Sequence, residues 1–226
     1  MKTLVIPDIH NKHQKVQDLL DKLEGQFDQC IFLGDYFDDF DDWPKDVLAT
    51  ARWLAKKLID PKFICLWGNH DQSYLAHRSY RCSGWSEAKN ILINKTITKD
   101  LVDKLMPAVI VEGWLLSHAG FTRQIISKNP LKIAEINLPF TFEGRPPIFG
   151  IGQVRGGDQP FGGITWCDFY NEFKPHPKWK QIFGHTQGRT VRETSDCGEG
   201  RSICLDTSLR HYAIIENGKV EIKEWN

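Results

Sequence analysis

Near its start the chain carries a short apolar run, Thr3-Leu4-Val5-Ile6, which stops at Pro7-Asp8. Its length and apolar content predict a buried strand. Val16, Leu19, Leu20 and Leu23 then recur at helical spacing and predict an amphipathic helix over 12–24. Cys30-Ile31-Phe32-Leu33 is a second strand-like run, closed by Gly34-Asp35. Val47, Ala51, Leu54 and Leu58 predict a second helix over 45–59, with Pro44 suited to its first turn. A third apolar run, Phe63 to Trp67, ends at Gly68. This β-α-β-α-β alternation predicts parallel pairing within a layered α/β domain.

Beyond residue 71 the pattern loosens. Residues 72–97 show no clear period and read as an excursion away from the sheet. A short helix over 98–105 stops before Pro107. Strands over 108–112 and 114–118 follow, joined through Glu112-Gly113, and 123–136 reads as helical in part. Residues 144–163 are rich in glycine and proline and read as a long loop. Strands near 181–184, 202–206, 211–216 and 219–224 close the chain, the last two joined by the hairpin signal Asn217-Gly218. With 226 residues, no repeat and no linker, the chain reads as a single domain over 1–226.

Composition narrows the function. The formal net charge is zero, which argues against a general nucleic-acid or anionic-membrane binder. No apolar stretch approaches the length of a bilayer span, and the N-terminal run is too short for a secretory signal. The six cysteines form no C-x-x-C pair, and Cys30, Cys65 and Cys204 lie inside apolar runs. They are expected to be reduced thiols in a cytoplasmic protein, with a Cys197–Cys204 disulfide as the weighed alternative.

The chemistry gathers where strands end. The first strand ends in Asp8-Ile9-His10, and the second in Gly34-Asp35-Tyr36-Phe37-Asp38. The third ends in Gly68-Asn69-His70-Asp71, the strand at 114 in Ser117-His118-Ala119-Gly120, and the strand at 181 in Gly184-His185-Thr186-Gln187. Asn, Asp and Gly are also the usual turn formers, so any one of these alone admits a turn. Five together at the carboxyl ends of strands, where α/β sheets bind ligands, point to a site. Carboxylate, imidazole and amide donors suit borderline to hard metals, and without a metal such a convergence would be costly.

In order and spacing, D-x-H, G-D-x-x-D, G-N-H-[DE], H-A-G and G-H-x-x over residues 8–187 resemble the calcineurin-like metallophosphoesterase superfamily. The resemblance implies a sandwich of two central mixed β-sheets flanked by helices. It also implies a two-metal site: Asp8 and His10 on one ion, Asn69, His118 and His185 on the other, and Asp35 bridging both. Manganese is the foremost expectation, with iron, zinc, cobalt or nickel also accepted by such ligands. His70, oriented by Asp38, would be the proton donor to the leaving oxygen, and a hydroxide bridging the metals the in-line nucleophile. Asp71 is expected to be a local cap or support.

The pattern departs from its relatives in three places, the first being Asn11, where the lambda-type and Ser/Thr-type phosphatases have glycine after D-x-H. Gln187 stands where the commoner G-H-x-H has a metal-binding histidine, which the lambda-type and Ser/Thr-type phosphatases also lack. The first metal is therefore expected to rest on Asp8, His10 and Asp35 and to be the looser. Asp39 stands where those phosphatases carry a phosphate-gripping arginine. Arg155, in a glycine-rich loop, is the first replacement candidate and Arg81 the next, followed by Arg78 and Arg123. The Trp166 ring reads as core, and the acidic residues Asp39, Asp41 and Asp42 as a solvated loop. The expected function is phosphomonoester hydrolysis on a phosphorylated substrate. Phosphodiester or dinucleoside polyphosphate hydrolysis is the alternative, and a catalytically silent binding module the rival of another class.

Overall fold

The computed structural model describes residues 1–39, 41–76, 81–128, 147–195 and 198–225. Two five-stranded sheets face one another. The first contains β1 (Thr3–Ile6), β2 (Gln29–Phe32), β3 (Phe63–Cys65), β9 (His211–Glu216) and β10 (Lys219–Glu224), in the order β10-β9-β1-β2-β3. β1, β2 and β3 pair in parallel, as the alternation with helices predicts, and β9 and β10 extend the sheet antiparallel. The second contains β4 (Ala108–Val111), β5 (Trp114–Ser117), β6 (Lys180–Phe183), β7 (Arg192–Thr194) and β8 (Arg201–Cys204), in the order β4-β5-β6-β8-β7. Both sheets mix parallel and antiparallel pairs, as the family resemblance implied.

Alternation along each strand sorts side chains into layers. Val5, Ile31, Ala213 and Ile215 of the first sheet meet Val109, Leu116, Ile182 and Ile203 of the second in a buried core between the sheets. Leu4, Ile6, Cys30 and Phe32 point the other way and pack against helices α1 (His13–Lys22) and α2 (Pro44–Ile59). Val16, Leu19 and Leu20 are the buried face of α1, and Val47, Ala51, Leu54 and Leu58 lie on that of α2. Pro44 opens α2, and the Asp46 carboxylate accepts from the Trp43 N–H at 3.1 Å. The outer face of the second sheet is covered by Phe121, Ile125, Phe149 and Ile164.

Several elements differ from the sequence pattern. Within 72–97 the chain is largely helical: α3 (Asn69–Leu75) starts directly at the G-N-H-D motif, and α4 (Glu87–Thr96) packs on α2. The polar residues of α3 and the weak amphipathicity of α4 hid both; α4 is capped by Ser86, whose Oγ accepts from Lys89 N at 3.3 Å. The helix predicted over 98–105 is only α5 (Lys99–Val102). Of the partly helical 123–136, α6 (Arg123–Lys128) is seen and the remainder lies outside the described residues. β7 carries no apolar run and was not anticipated. Residues 147–163 contain two single 3-10 turns and fold back on themselves, with Ile164 N donating to Ile148 O at 2.8 Å. Asn217 and Gly218 both take positive φ, 52° and 72°, which is the geometry of a tight two-residue hairpin.

Candidate dinuclear metal centre

The ends of β1, β2, β3, β5 and β6 meet at one end of the sandwich, and the contact is close because two of the turns lack side chains. A Cβ on Gly34 would lie 2.5 Å from Gly68 N, and one on Gly68 would lie 2.2 Å from Asp35 N. Asp71 ties these turns together. Its carboxylate accepts from the N–H groups of Asp35 (2.8 Å), Tyr36 (2.9 Å) and Gly68 (2.9 Å), capping α3 in the same stroke. Burial pushes the Asp71 carboxyl up, to about 7. The D-x-H turn is fastened to the same place, with Ile9 N and His10 N donating to Asp35 O at 3.0 and 2.8 Å. His10, Asp35, Asp38 and His185 all take positive φ (45°, 50°, 65° and 65°), a conformation that costs free energy in residues with a Cβ and clusters at functional sites.

Asp35 is the shared member of two groups of potential metal donors, His10–Asp35–His70 and Asp35–His118–His185. Within each, the donor atoms lie within 4.8 Å of one another. His118 Nε2 is 3.4 Å from Asp35 Oδ2, 2.9 Å from Asn69 Oδ1 and 3.2 Å from His185 Nδ1. His185 Nδ1 is also 2.9 Å from Asn69 Oδ1. His10 Nε2 is 3.8 Å from Asp35 Oδ2. Asp8 belongs to neither group: its carboxylate lies against the G-H turn, accepting from His185 N at 3.1 and 3.0 Å. Gly184 is required there, since its Cβ would lie 1.9 Å from Asp8 Oδ1.

The partners of these side chains fit a cation. His118 Nδ1 faces the Leu33 carbonyl at 2.9 Å, and His10 Nδ1 faces the carbonyls of Asp38 (2.6 Å) and Phe37 (3.2 Å). A carbonyl only accepts, so both Nδ1 atoms carry a proton and both rings turn Nε2 toward Asp35, the nitrogen a histidine gives to a metal when its other N–H is held by an acceptor. Asn69 Nδ2 donates to Cys82 Sγ at 3.3 Å, which leaves its Oδ1 for the cluster. His185 Nε2 is buried without a hydrogen-bond partner, so Nδ1 is the nitrogen that faces the group. These donor atoms converge on one place, where a bound cation would satisfy them together.

Electrostatics point the same way. Burial opposes charge on His118, but the Asp35 and Asp8 carboxylates outweigh it and pull the imidazole up to about 10. Burial would raise Asp35, yet His118, His70 and His10 hold it well below the usual carboxylate range. His185 is pushed down by burial and by His118 and Arg155, which keeps it neutral. Asp8 is raised by burial and by the neighbouring Asp206. The site therefore holds protons tightly when positive charge is otherwise lacking.

His70 sits beside these groups. Its N–H donates to Asp35 Oδ1 at 2.9 Å, and its Nδ1 is 2.9 Å from Asp38 Oδ2, so Nε2 is the nitrogen available to the cavity. Burial lowers the His70 imidazole, but Asp35 and Asp38 outweigh it and the net shift is upward. His70 also falls in a donor group with His10 and Asp35, where the family resemblance had kept it outside the ligand set. A cavity of about 720 Å³ opens over the site, and its wall includes Asp8, His10, His70 and His185 together with the cations Lys12, Lys89 and Arg155.

The substrate-binding expectations divide. Arg155 does line the cavity, held by Asp168 Oδ2 at 2.8 Å with a third of its side chain exposed (33%). Arg81 does not: its guanidinium stacks on Trp85, 4.0 Å from the ring centroid, and it is not part of the cavity wall. Arg78 lies outside the described residues, and Arg123, at the start of α6, is not part of the cavity wall. Trp166 is buried, as expected for core. Gln187 is exposed and donates to Ser208 Oγ rather than standing in for a histidine ligand. Cys30, Cys65, Cys82, Cys167 and Cys204 are free thiols, while Cys197 lies outside the described residues.

Four residues escaped the sequence reading. Asp206 is a buried carboxylate on the cavity wall just after β8, beside Asp8 and His10. It follows a strand end like the five motifs, and that rule would have found it. Asp42 was expected in a solvated loop, but its side chain is 5% exposed and accepts from Asn11 Nδ2 and Lys89 Nζ, both at 2.6 Å. Tyr74 and Lys89 come from α3 and α4 and had no motif to mark them.

The chain belongs to the calcineurin-like phosphoesterase family, whose model matches residues 1–197. It is thus a metallophosphoesterase, an enzyme that hydrolyses phosphoric esters, of a family that binds divalent metal ions. Among solved structures it is similar in fold to the cold-active protein-tyrosine phosphatase of a psychrophilic Shewanella species, with TM-score 0.64 and 17% identity over 99% of this chain and 78% of that one. A protein serine/threonine phosphatase from Saccharomyces cerevisiae aligns with TM-score 0.57 and 15% identity over 99% and 80% of the two chains. A putative diadenosine tetraphosphatase aligns with TM-score 0.54 and 15% identity over 99% and 93%. No curated protein matches the sequence. Among the described residues no helix is long and apolar enough to cross a membrane.

Proposed function

We propose that the protein is a phosphatase of phosphomonoesters that works with two divalent ions. The observation that carries this reading is that two groups of potential metal donors share Asp35, with His70 of the first group paired through Nδ1 to Asp38 on the same cavity. Asn69, His118 and His185 would hold one ion, Asp8 and His10 the other, with Asp35 shared between them. When bound, the ions supply Lewis-acid stabilisation of the phosphoryl oxygens and activation of the attacking water. The mixed oxygen and imidazole donors, with no thiolate among them, accept manganese as well as iron, zinc, cobalt or nickel.

The chain's own residues do the rest. Arg155, in the long loop and lining the cavity with part of its side chain exposed, grips the non-bridging phosphoryl oxygens and fixes the ester for in-line displacement. His70 gives the proton from Nε2 to the leaving oxygen, while Asp38 holds Nδ1 and stabilises the imidazolium before transfer. The fold's likeness to protein phosphatases supports monoester substrates. The free thiols accord with a reducing compartment such as the cytoplasm.

Hydrolysis of dinucleoside polyphosphates is the second reading, favoured by the likeness to the putative diadenosine tetraphosphatase. Against it, among the described residues Leu209 is the one aliphatic residue on the cavity wall and no Phe, Tyr or Trp lines it to stack a base. Metal-reconstituted protein should turn over nitrophenyl phosphate at least about tenfold faster than bis-nitrophenyl phosphate or a diadenosine polyphosphate, a gap of about 1.4 kcal/mol in barrier. A faster rate on either of the latter would reverse the assignment.

A further inference from the structure

α4 is remote in sequence from every ligand motif, yet it sends Lys89 to the wall of the same cavity. Lys89 is 7% exposed. Its Nζ lies 2.6 Å from Asp42 Oδ1, 2.8 Å from Gly84 O and 3.1 Å from Asp38 Oδ1. An ammonium has three protons, and all three are placed. Lys89 is therefore not a free cation waiting for a phosphate, although it faces the cavity.

What these bonds do is immobilise Asp38. Its Oδ1 accepts from Lys89 and also from the Tyr74 hydroxyl at 2.6 Å, and its Oδ2 is left for His70 Nδ1. Gly84 closes the cage from behind: with φ +91°, its added Cβ would lie 3.1 Å from Asp38 Cβ. Asp42 extends the frame by accepting from Asn11, the residue after His10. A buried carboxylate is stable as an anion only when paired and hydrogen-bonded, and here the pairing comes from two helices that carry no metal ligand except Asn69.

We propose that Lys89 and Tyr74 are positioning residues for the proton donor, clamping Asp38 in the one orientation that aims His70 at the leaving oxygen. The inference rests on the reading of His70 as general acid. Removing either clamp leaves Asp38 free to swing off His70, so the chemical step slows while substrate capture, which depends on the metals and Arg155, does not.

The test compares leaving groups on the full, metal-loaded chain. Tyr74→Phe deletes one hydroxyl with little risk to folding, and Lys89→Met is the stronger change. Each should lower kcat on an alkyl phosphate at least about fivefold, a part of the hundredfold or more that a general acid supplies. KM should stay within about twofold, metal content should be unchanged, and the loss on nitrophenyl phosphate should be smaller, because that leaving group needs little protonation. In a His70→Ala background neither substitution should cost anything further. Equal losses on both substrates, or full additional losses in the His70→Ala background, overturn the clamp while His70→Ala itself keeps its leaving-group dependence. No leaving-group dependence in His70→Ala overturns the general-acid reading and the clamp together.

Discussion

At the residue scale the site is built on Asp35. It is buried, it takes a positive φ, and it is the member common to both donor groups. Asn tolerates the same backbone conformation, so Asp35→Asn removes charge and one anionic oxygen without forcing the turn. It should cost more bound metal than the corresponding change at any other ligand, measured as ions per chain after desalting; two retained ions would refute the bridging role. Asp206 offers a second test. With Gln187 turned to Ser208, the His10 side gains no imidazole from the G-H-x-x turn, but it has the Asp206 carboxylate nearby. If the proposed assignment holds, Asp206→Asn should weaken the ion assigned to Asp8 and His10 at least about tenfold, or about 1.4 kcal/mol, and leave the other unchanged in calorimetric titration of the apo protein.

At the element scale the decisive piece is the elbow where β2 and β3 end and α3 begins. Gly34 and Gly68 let two turns touch, and Asp71 holds three N–H groups across them. Asp71→Ala leaves those buried donors without a partner at about 1–3 kcal/mol each, so the loss should reach roughly 3 kcal/mol or more even after relaxation. Urea unfolding of the metal-free protein reads it directly, free of any effect on binding. A change within about 0.5 kcal/mol, the range of ordinary surface substitutions, would show that the elbow stands without its cap.

For the whole molecule, the two sheets and their helices supply stability, and the site spends some of it. Without metal, His118 is held near pKa 10, above its ordinary 6.5, chiefly against burial by Asp35 and Asp8. A group whose folded-state pKa is raised contributes stability that is complete below 6.5 and is lost as the pH climbs through about 10. Raised Asp8 acts in the same sense at lower pH, favouring the protonated apo site. The apo protein should therefore unfold at a falling temperature between pH 7 and 10. Metal removes this slope by taking the protons' place. At 100 times its dissociation constant it should add about 2.7 kcal/mol, which for a chain of this size is roughly 5–10 °C in Tm. Scanning calorimetry with and without manganese across that pH range checks both statements, and parallel slopes for the two forms would contradict them.

Much was determined by the sequence by itself. The parallel β1-β2-β3 core, α1, α2 and the closing hairpin follow from local periodicity and turn chemistry, which act over a few residues. The five motif ends were legible for the same reason: a strand that stops at glycine and a ligand-type residue announces a site before its partners are known. Tertiary structure decided what depends on neighbours distant in the chain. Only packing revealed that Gly34 and Gly68 face one another, that Arg155 reaches the cavity while Arg81 stacks on Trp85, and that Asp42 is buried. Lys89 and Tyr74 are the clearest case. Nothing local marks a lysine or a tyrosine in a polar helix, and their part is set by a carboxylate 51 and 36 residues away, brought within bonding distance by the fold.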